Sequence, residues 1–198
     1  MENFIKNYIQ ETSSALEHVD YESIAKAINI IQSVYERDGN IYIFGNGGSL
    51  ALATHWVSDF NKTVFSHNLD KHTKRFRAIR LPSTEEELSA WANDIGYDMV
   101  FAGPLQNYLQ ERDCIIAISS SGNSANIIKA VQLANKCKVP VIGLSGFDGG
   151  KLKELSSVNI LVKTEKGKYG IVEGSHAVIL HLITDYFQGY FDNLVDKK

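Results

Sequence analysis

Ile41-Tyr42-Ile43-Phe44 runs directly into Gly45-Asn46-Gly47-Gly48-Ser49, and this stretch decides the fold. Four consecutive apolar, β-prone residues leave no polar face, the pattern of a strand covered on both sides of its sheet. The glycines end that strand, and Leu50 to Lys62 continues at helical spacing. A strand feeding a small-residue turn and then a helix is half of a parallel βαβ unit.

The same shape repeats outward from this stretch. Upstream, residues 3–36 read as two amphipathic helices. Phe4, Tyr8 and Ile9 mark the first, and Ile24, Ala27, Ile28, Ile31 and Val34 mark the second. The turn signal Arg37-Asp38-Gly39-Asn40 then leads into the first strand. Downstream, strands are expected at 76–81, 114–118, 141–144 and 158–162. Helices are expected at 50–62, 85–92, 123–138, 150–155 and 171–190. The expectation is an α/β fold of flavodoxin-like type, a three-layer αβα sandwich around a five-stranded parallel sheet, with two leading helices. Residues 1–198 are expected to form one domain, with 1–38 as a helical extension serving oligomerisation.

Composition removes several function classes. Twenty Lys and Arg against 23 Asp and Glu give a net charge of −3, so no basic field recruits a nucleic-acid backbone. Cys114 and Cys137 lack C-x-x-C spacing, which argues against a disulfide framework or a cysteine-rich zinc site and fits a reducing cytosol. Met1 to Lys6 has no apolar run of signal-peptide type, and no segment reaches the roughly 18 residues that read as a membrane span. A cytoplasmic protein with no membrane or nucleic-acid partner is expected.

Three expected strands end in small-residue loops, at the sheet edge where open α/β folds bind ligands. Gly45–Ser49 either brings backbone N–H groups and a helix N-terminus to an anion or is a plain tight turn. It is neither a phosphate loop with Lys-Ser/Thr nor a G-x-G-x-x-G fingerprint, so no nucleotide cofactor is expected. Ser119-Ser120-Ser121-Gly122-Asn123-Ser124 lines up four hydroxyls beside free N–H groups; the alternative is a serine N-cap with turn residues. Two such loops on one sheet edge point to a small phosphorylated ligand.

Other candidates are titratable. His55 and Asp59 lie four apart on one helix face, as a metal or acid/base pair requires and as a surface ion pair also does. In the last helix, rotation at about 100° per residue puts His181 about 80° from Glu173 and His176 about 140° from His181. Glu173 and His181 can therefore converge at the helix edge while both histidines cannot; His176 reads as a packing residue or one that supports the site from behind, and His181, flanked by Leu180 and Leu182, is otherwise a satisfied core histidine. Asn93-Asp94 is a polar pair in reach of a ligand or a helix C-cap, and Lys62 is a cation near the phosphate end or a solvated helix terminus.

Gly45-Asn46-Gly47-Gly48-Ser49 with His55, then Ala92-Asn93-Asp94, then Ile118-Ser119-x-Ser121-Gly122-Asn123-Ser124, then Gly146-x-Asp148-Gly149-Gly150 resembles the sugar isomerase (SIS) domain family. Within it the pattern is most similar to the phosphoheptose isomerase group, over nearly the whole chain. The resemblance implies a homotetramer with sites at subunit interfaces and isomerisation of a ketose phosphate to an aldose phosphate. It implies that Ser119, Ser121 and Ser124 hold the phosphate, that Asn46, Gly47 and Ser49 line the sugar, and that Asp94 meets its hydroxyls. The family's acid/base glutamate falls on Asp59 and its catalytic histidine on His181. Zinc, present in some members, would be held by His55, Asp59, Glu173 and His181.

The chain departs from that pattern at four positions. Asp59 is one methylene shorter than glutamate, setting its carboxylate roughly 1.5 Å back. Glu173 stands where the best-known members have glutamine, Thr63 where they have arginine, and Tyr169-Gly170 where an aspartate is usual. The expected reaction is sedoheptulose 7-phosphate to D-glycero-manno-heptose 7-phosphate by enediol proton transfer. The alternatives are a non-catalytic sugar-phosphate- or protein-binding SIS tetramer and an isomerase for another ketose phosphate.

Overall fold

The computed structural model describes residues 1–67, 70 and 74–192. The elements, in chain order, are α1 (Glu2–Glu17), α2 (Tyr21–Glu36), β1 (Ile41–Gly45), α3 (Gly48–Asn61), β2 (Ala78–Arg80), α4 (Glu85–Asp94) and α5 (Ala102–Tyr108). They continue as β3 (Cys114–Ser119), α6 (Ala125–Lys136), β4 (Val141–Gly146), α7 (Gly150–Leu155), β5 (Val158–Val162) and α8 (Tyr169–Phe191). Short 3-10 turns lie at Thr63–Phe65 and Tyr97–Met99.

Local chemistry accounts for the boundaries. The Asp20 carboxylate accepts from the Glu22 N–H at 3.0 Å and starts α2, whose Ile24, Ala27, Ile28, Ile31 and Val34 then fall on one buried face. Thr84 caps α4 by accepting from the Glu87 N–H at 3.1 Å, with Glu85, Glu86 and Glu87 at the positive helix end.

All strand pairs are parallel, in the order β2-β1-β3-β4-β5, and β1, β3 and β4 are buried along their whole length. Alternation along each strand divides the core into two layers. Ile41, Ile43 and Ile116 pack with Trp56 and Phe60 of α3 and with Ile179 and Ile183 of α8. Tyr42, Phe44 and Ile115 pack with Leu105 of α5 and Ile127 and Val131 of α6. The helices that follow β1 and β3 thus lie on opposite faces of the sheet. Neighbouring strands whose connections diverge in this way open a crevice at their carboxyl ends.

The five strands, the covering helices and the two leading helices stand as expected, and four details differ. The strand expected over 76–81 pairs only over Ala78–Arg80, just before Pro82, which has no N–H to extend a ladder. Asn93 and Asp94, expected in a loop, form the last turn of α4, and Tyr169-Gly170 opens α8 instead of preceding it. Helix α5 was not anticipated; Pro104 interrupts its pattern yet sits in the first turn, where proline is tolerated. Both cysteines are free, Cys114 buried and Cys137 exposed. No helix among the described residues is long and apolar enough to cross a membrane.

Candidate active site

The crevice between β1 and β3 holds a small polar cavity of about 180 Å³. Asn46 reaches it from the turn before α3 and Ser49 from the first turn of α3, Ser119 from the end of β3, Ser120, Ser121 and Ser124 from the loop that follows, and Tyr169 and Glu173 from α8. Gly122 makes the serine loop possible. Its φ of +64° is one that residues with a side chain rarely adopt, and a Cβ there would overlap the carbonyl oxygen of Gly149. Ser119 Oγ and Ser124 Oγ lie 3.4 Å apart, and the Asn123 N–H donates to Ser121 Oγ at 3.3 Å. The buried Ser120 hydroxyl has no hydrogen-bond partner among the described residues. Among the described residues no lysine or arginine lines this cavity, so an anion there would meet hydroxyls, N–H groups and helix N-termini.

Asn46 is held from two sides. Its Nδ2 donates to Asn126 Oδ1 at 3.0 Å, while its Oδ1 accepts from Asn126 Nδ2 at 2.9 Å and from the Tyr97 hydroxyl at 3.1 Å. Sequence reading missed both partners, because nothing in residue spacing joins positions 46, 97 and 126. Gly47 has φ +53° at the N-cap of α3 and sits beside the cavity, not in its wall. Asn93 and Asp94 are exposed and bonded to each other at 2.7 Å, away from the cavity lining. Lys62 caps the far end of α3 and is likewise outside it.

A second cluster lies farther along α3 and α8. His55 Nε2 is 3.6 Å and His181 Nδ1 3.7 Å from the same oxygen, Asp59 Oδ2. Asp59 is buried, with Oδ1 accepting from the Thr63 hydroxyl at 3.0 Å, whereas both imidazoles are about half exposed. Oδ2 has no hydrogen-bond partner among the described residues. An orphaned buried carboxylate oxygen facing two imidazoles fits a cation, and two nitrogens with one oxygen suit zinc. His55, Asp59 and His181 can each offer a ligand atom within 4.8 Å of the others. Glu173, expected as a fourth ligand, is not in this group. It lies beside Gly48, at the N-terminus of α3, where the helix dipole favours a carboxylate.

His176 behaves as a packing residue. It is fully buried, and its Nε2 lies 3.2 Å from the Ser145 carbonyl oxygen. A carbonyl only accepts, so Nε2 carries the proton. Burial pushes its pKa down to about 4, with the Ser145 bond opposing the shift.

A family model described as SIS domain matches residues 6–146. The chain belongs to the SIS domain family. Among curated SIS relatives, a phosphoheptose isomerase of Helicobacter pylori (strain P12) is 31% identical over 170 residues, covering 86% of this chain and 85% of its own. Among solved SIS structures, phosphoheptose isomerase GmhA from Neisseria gonorrhoeae superposes with a TM-score of 0.82 at 27% identity, over 95% of this chain and 96% of that one. The Vibrio vulnificus NanR protein, complexed with ManNAc-6P, shares the fold with a TM-score of 0.64 at 17% identity, over 97% of this chain and 65% of that one. The chain is an isomerase-type enzyme similar to the phosphoheptose isomerases.

Proposed function

We propose that the chain is a sugar-phosphate aldose–ketose isomerase converting sedoheptulose 7-phosphate to D-glycero-manno-heptose 7-phosphate. The observation that carries this reading is the pairing, on one fold, of a serine-lined anion cradle with two imidazoles facing a buried carboxylate. The phosphate sits among the hydroxyls of Ser119, Ser121 and Ser124, with Ser120 supplying a further unpaired hydroxyl. Asn46, Ser49 and Glu173 meet the sugar.

Asp59 and His181 form the acid/base pair. One removes a proton from carbon 1 of the open-chain ketose, and the electron pair left behind forms the carbon 1–carbon 2 double bond while the ketone oxygen takes up a proton. The other returns a proton to carbon 2 as the hydroxyl on carbon 1 gives up its own and becomes the aldehyde. Each such transfer is worth about 10² to 10⁴ in rate. The Thr63 hydroxyl occupies Oδ1 of Asp59 and so leaves Oδ2 as the working atom. In a metal-loaded form His55, Asp59 and His181 would hold a zinc ion, which would polarise a carbonyl, and Oδ2 and the His181 nitrogen would then serve as ligands in place of their proton-transfer roles.

The serine cavity is not lined by His55, Asp59 or His181, and eight residues of α8 put Glu173 and His181 roughly 12 Å apart along the helix. We therefore read the complete site as shared between copies in a homotetramer. The exposed Phe4, Ile5 and Ile9 of α1 support 1–38 as the oligomerising segment.

The experiment is a screen of ketose phosphates with product identification, light scattering giving the assembly size. Formation of the aldoheptose phosphate from sedoheptulose 7-phosphate is expected. Turnover only of another ketose phosphate would move the reading to that sugar. Tight binding without turnover would favour a sugar-phosphate-binding module, for which NanR offers a precedent of fold.

A further inference from the structure

We propose that Tyr97 is a positioning residue that fills the last acceptor site of Asn46 Oδ1 and steadies this side chain, so that it presents an N–H, and not a carbonyl, to the sugar phosphate. This inference rests on the isomerase reading and adds a residue to it.

The polarity of the network is set by a backbone donor. The Ile127 N–H donates to Asn126 Oδ1 at 2.9 Å, and a backbone N–H cannot accept, so the orientation of the Asn126 amide is fixed. The same Oδ1 takes a hydrogen from Asn46 Nδ2 at 3.0 Å, and Asn126 Nδ2 donates back to Asn46 Oδ1 at 2.9 Å. The Tyr97 hydroxyl adds a second donor to that Oδ1 at 3.1 Å. Asn46 Oδ1 is then saturated, since a carbonyl oxygen has two lone pairs. The remaining open group of the amide is the second hydrogen of Nδ2, and Asn46 lines the serine cavity. An N–H there calls for an acceptor on the ligand, and a carbonyl or phosphate oxygen, which can only accept, suits it without giving up a donor.

Tyr97 is placed for this role from outside the cavity. Gly96 before it has φ +136°, and Asp98 after it is ion-paired with Lys129 on α6. These two flanks fix the turn against the helix that carries Asn126. The ring itself is 56% exposed, so it contributes little to the core.

The test is a double-mutant cycle of Tyr97→Phe and Asn46→Ala, read in kcat/KM for sedoheptulose 7-phosphate and in Kd for the same ester by calorimetry. Tyr97→Phe is expected to lower kcat/KM about 3- to 12-fold, the worth of one hydrogen bond, mostly through KM. In the Asn46→Ala background the same change is expected to have less than about a twofold effect. An equal loss in both backgrounds, or no loss in the first, overturns the inference. A wild-type chain that binds the ester without turning it over overturns the isomerase reading, and the cycle in Kd then judges Tyr97 by the same criterion. A chain that neither binds nor turns over the ester overturns both.

Discussion

The rings of His55 and His181 meet edge to face, with centroids 4.9 Å apart and planes at 75°. They come from different helices and share one carboxylate oxygen, that of Asp59. Asp59→Asn keeps the shape and the Thr63 contact but removes the charge both imidazoles face. Turnover of sedoheptulose 7-phosphate is expected to fall by about 10² to 10⁴. Zinc bound per subunit, measured by mass spectrometry, should fall with it. Turnover within threefold of the parent would remove Asp59 from the acid/base pair.

Glu173 puts a negative charge into the wall of a cavity that no lysine or arginine among the described residues lines. A phosphate bound among the serines feels that charge at close range, where the local dielectric screens it weakly. Glu173→Gln keeps the amide-sized shape and is expected to lower KM for the sugar phosphate roughly 3- to 10-fold at low salt, less at high salt. Steady-state kinetics at two ionic strengths check this, and an unchanged or higher KM contradicts it.

Gly122→Ala should be severe. The backbone there is left-handed, and the added methyl meets backbone, the Gly149 carbonyl, which cannot swing aside as a side chain would. A loss of about 3 kcal/mol is expected, appearing as a melting temperature lowered by roughly 6–12 °C for a chain of this size. Calorimetry reads it directly; a shift under about 2 °C would mean the serine loop relaxes without cost.

Buried His176 makes stability pH-dependent. Burial holds its pKa down at about 4 in the folded chain against the ordinary histidine value of 6.5, so between these values the unfolded chain takes up a proton that the folded chain refuses. The contribution is therefore complete above pH 6.5 and is lost as pH falls toward 4, by about 3 kcal/mol in all. Urea unfolding at pH 7 and pH 4.5 measures it, and His176→Gln is expected to flatten the difference. Parallel curves for parent and variant would assign the acid sensitivity elsewhere.

What the sequence revealed follows from how far each signal reaches. Unbroken apolar runs such as Ile41–Phe44 announce strands buried on both faces, because burial is a local property of residue type. The burial of His176 away from His181 followed from rotation along one helix. The Asn46–Tyr97–Asn126 network did not, since its members lie on three connections that only the folded sheet brings together. The place of Glu173 was half legible. Its helix face was predictable, but its distance from the His55 cluster depends on how far along α3 the two helices touch. Asn93-Asp94 misled because a polar pair suits a loop and a final helical turn equally well.

Helix α8 runs 23 residues without interruption from Tyr169 to Phe191 and carries Glu173, His176 and His181 at three stations. One residue inserted between His176 and His181 would swing His181 about 100° around the axis and carry it about 1.5 Å along, away from Asp59, with Glu173 unmoved. Point substitutions can retune this helix one side chain at a time. Length changes cannot. Over evolutionary time, gaps and insertions in this lineage should therefore gather in the surface connections, while residues 173–181 keep their count even where their letters drift.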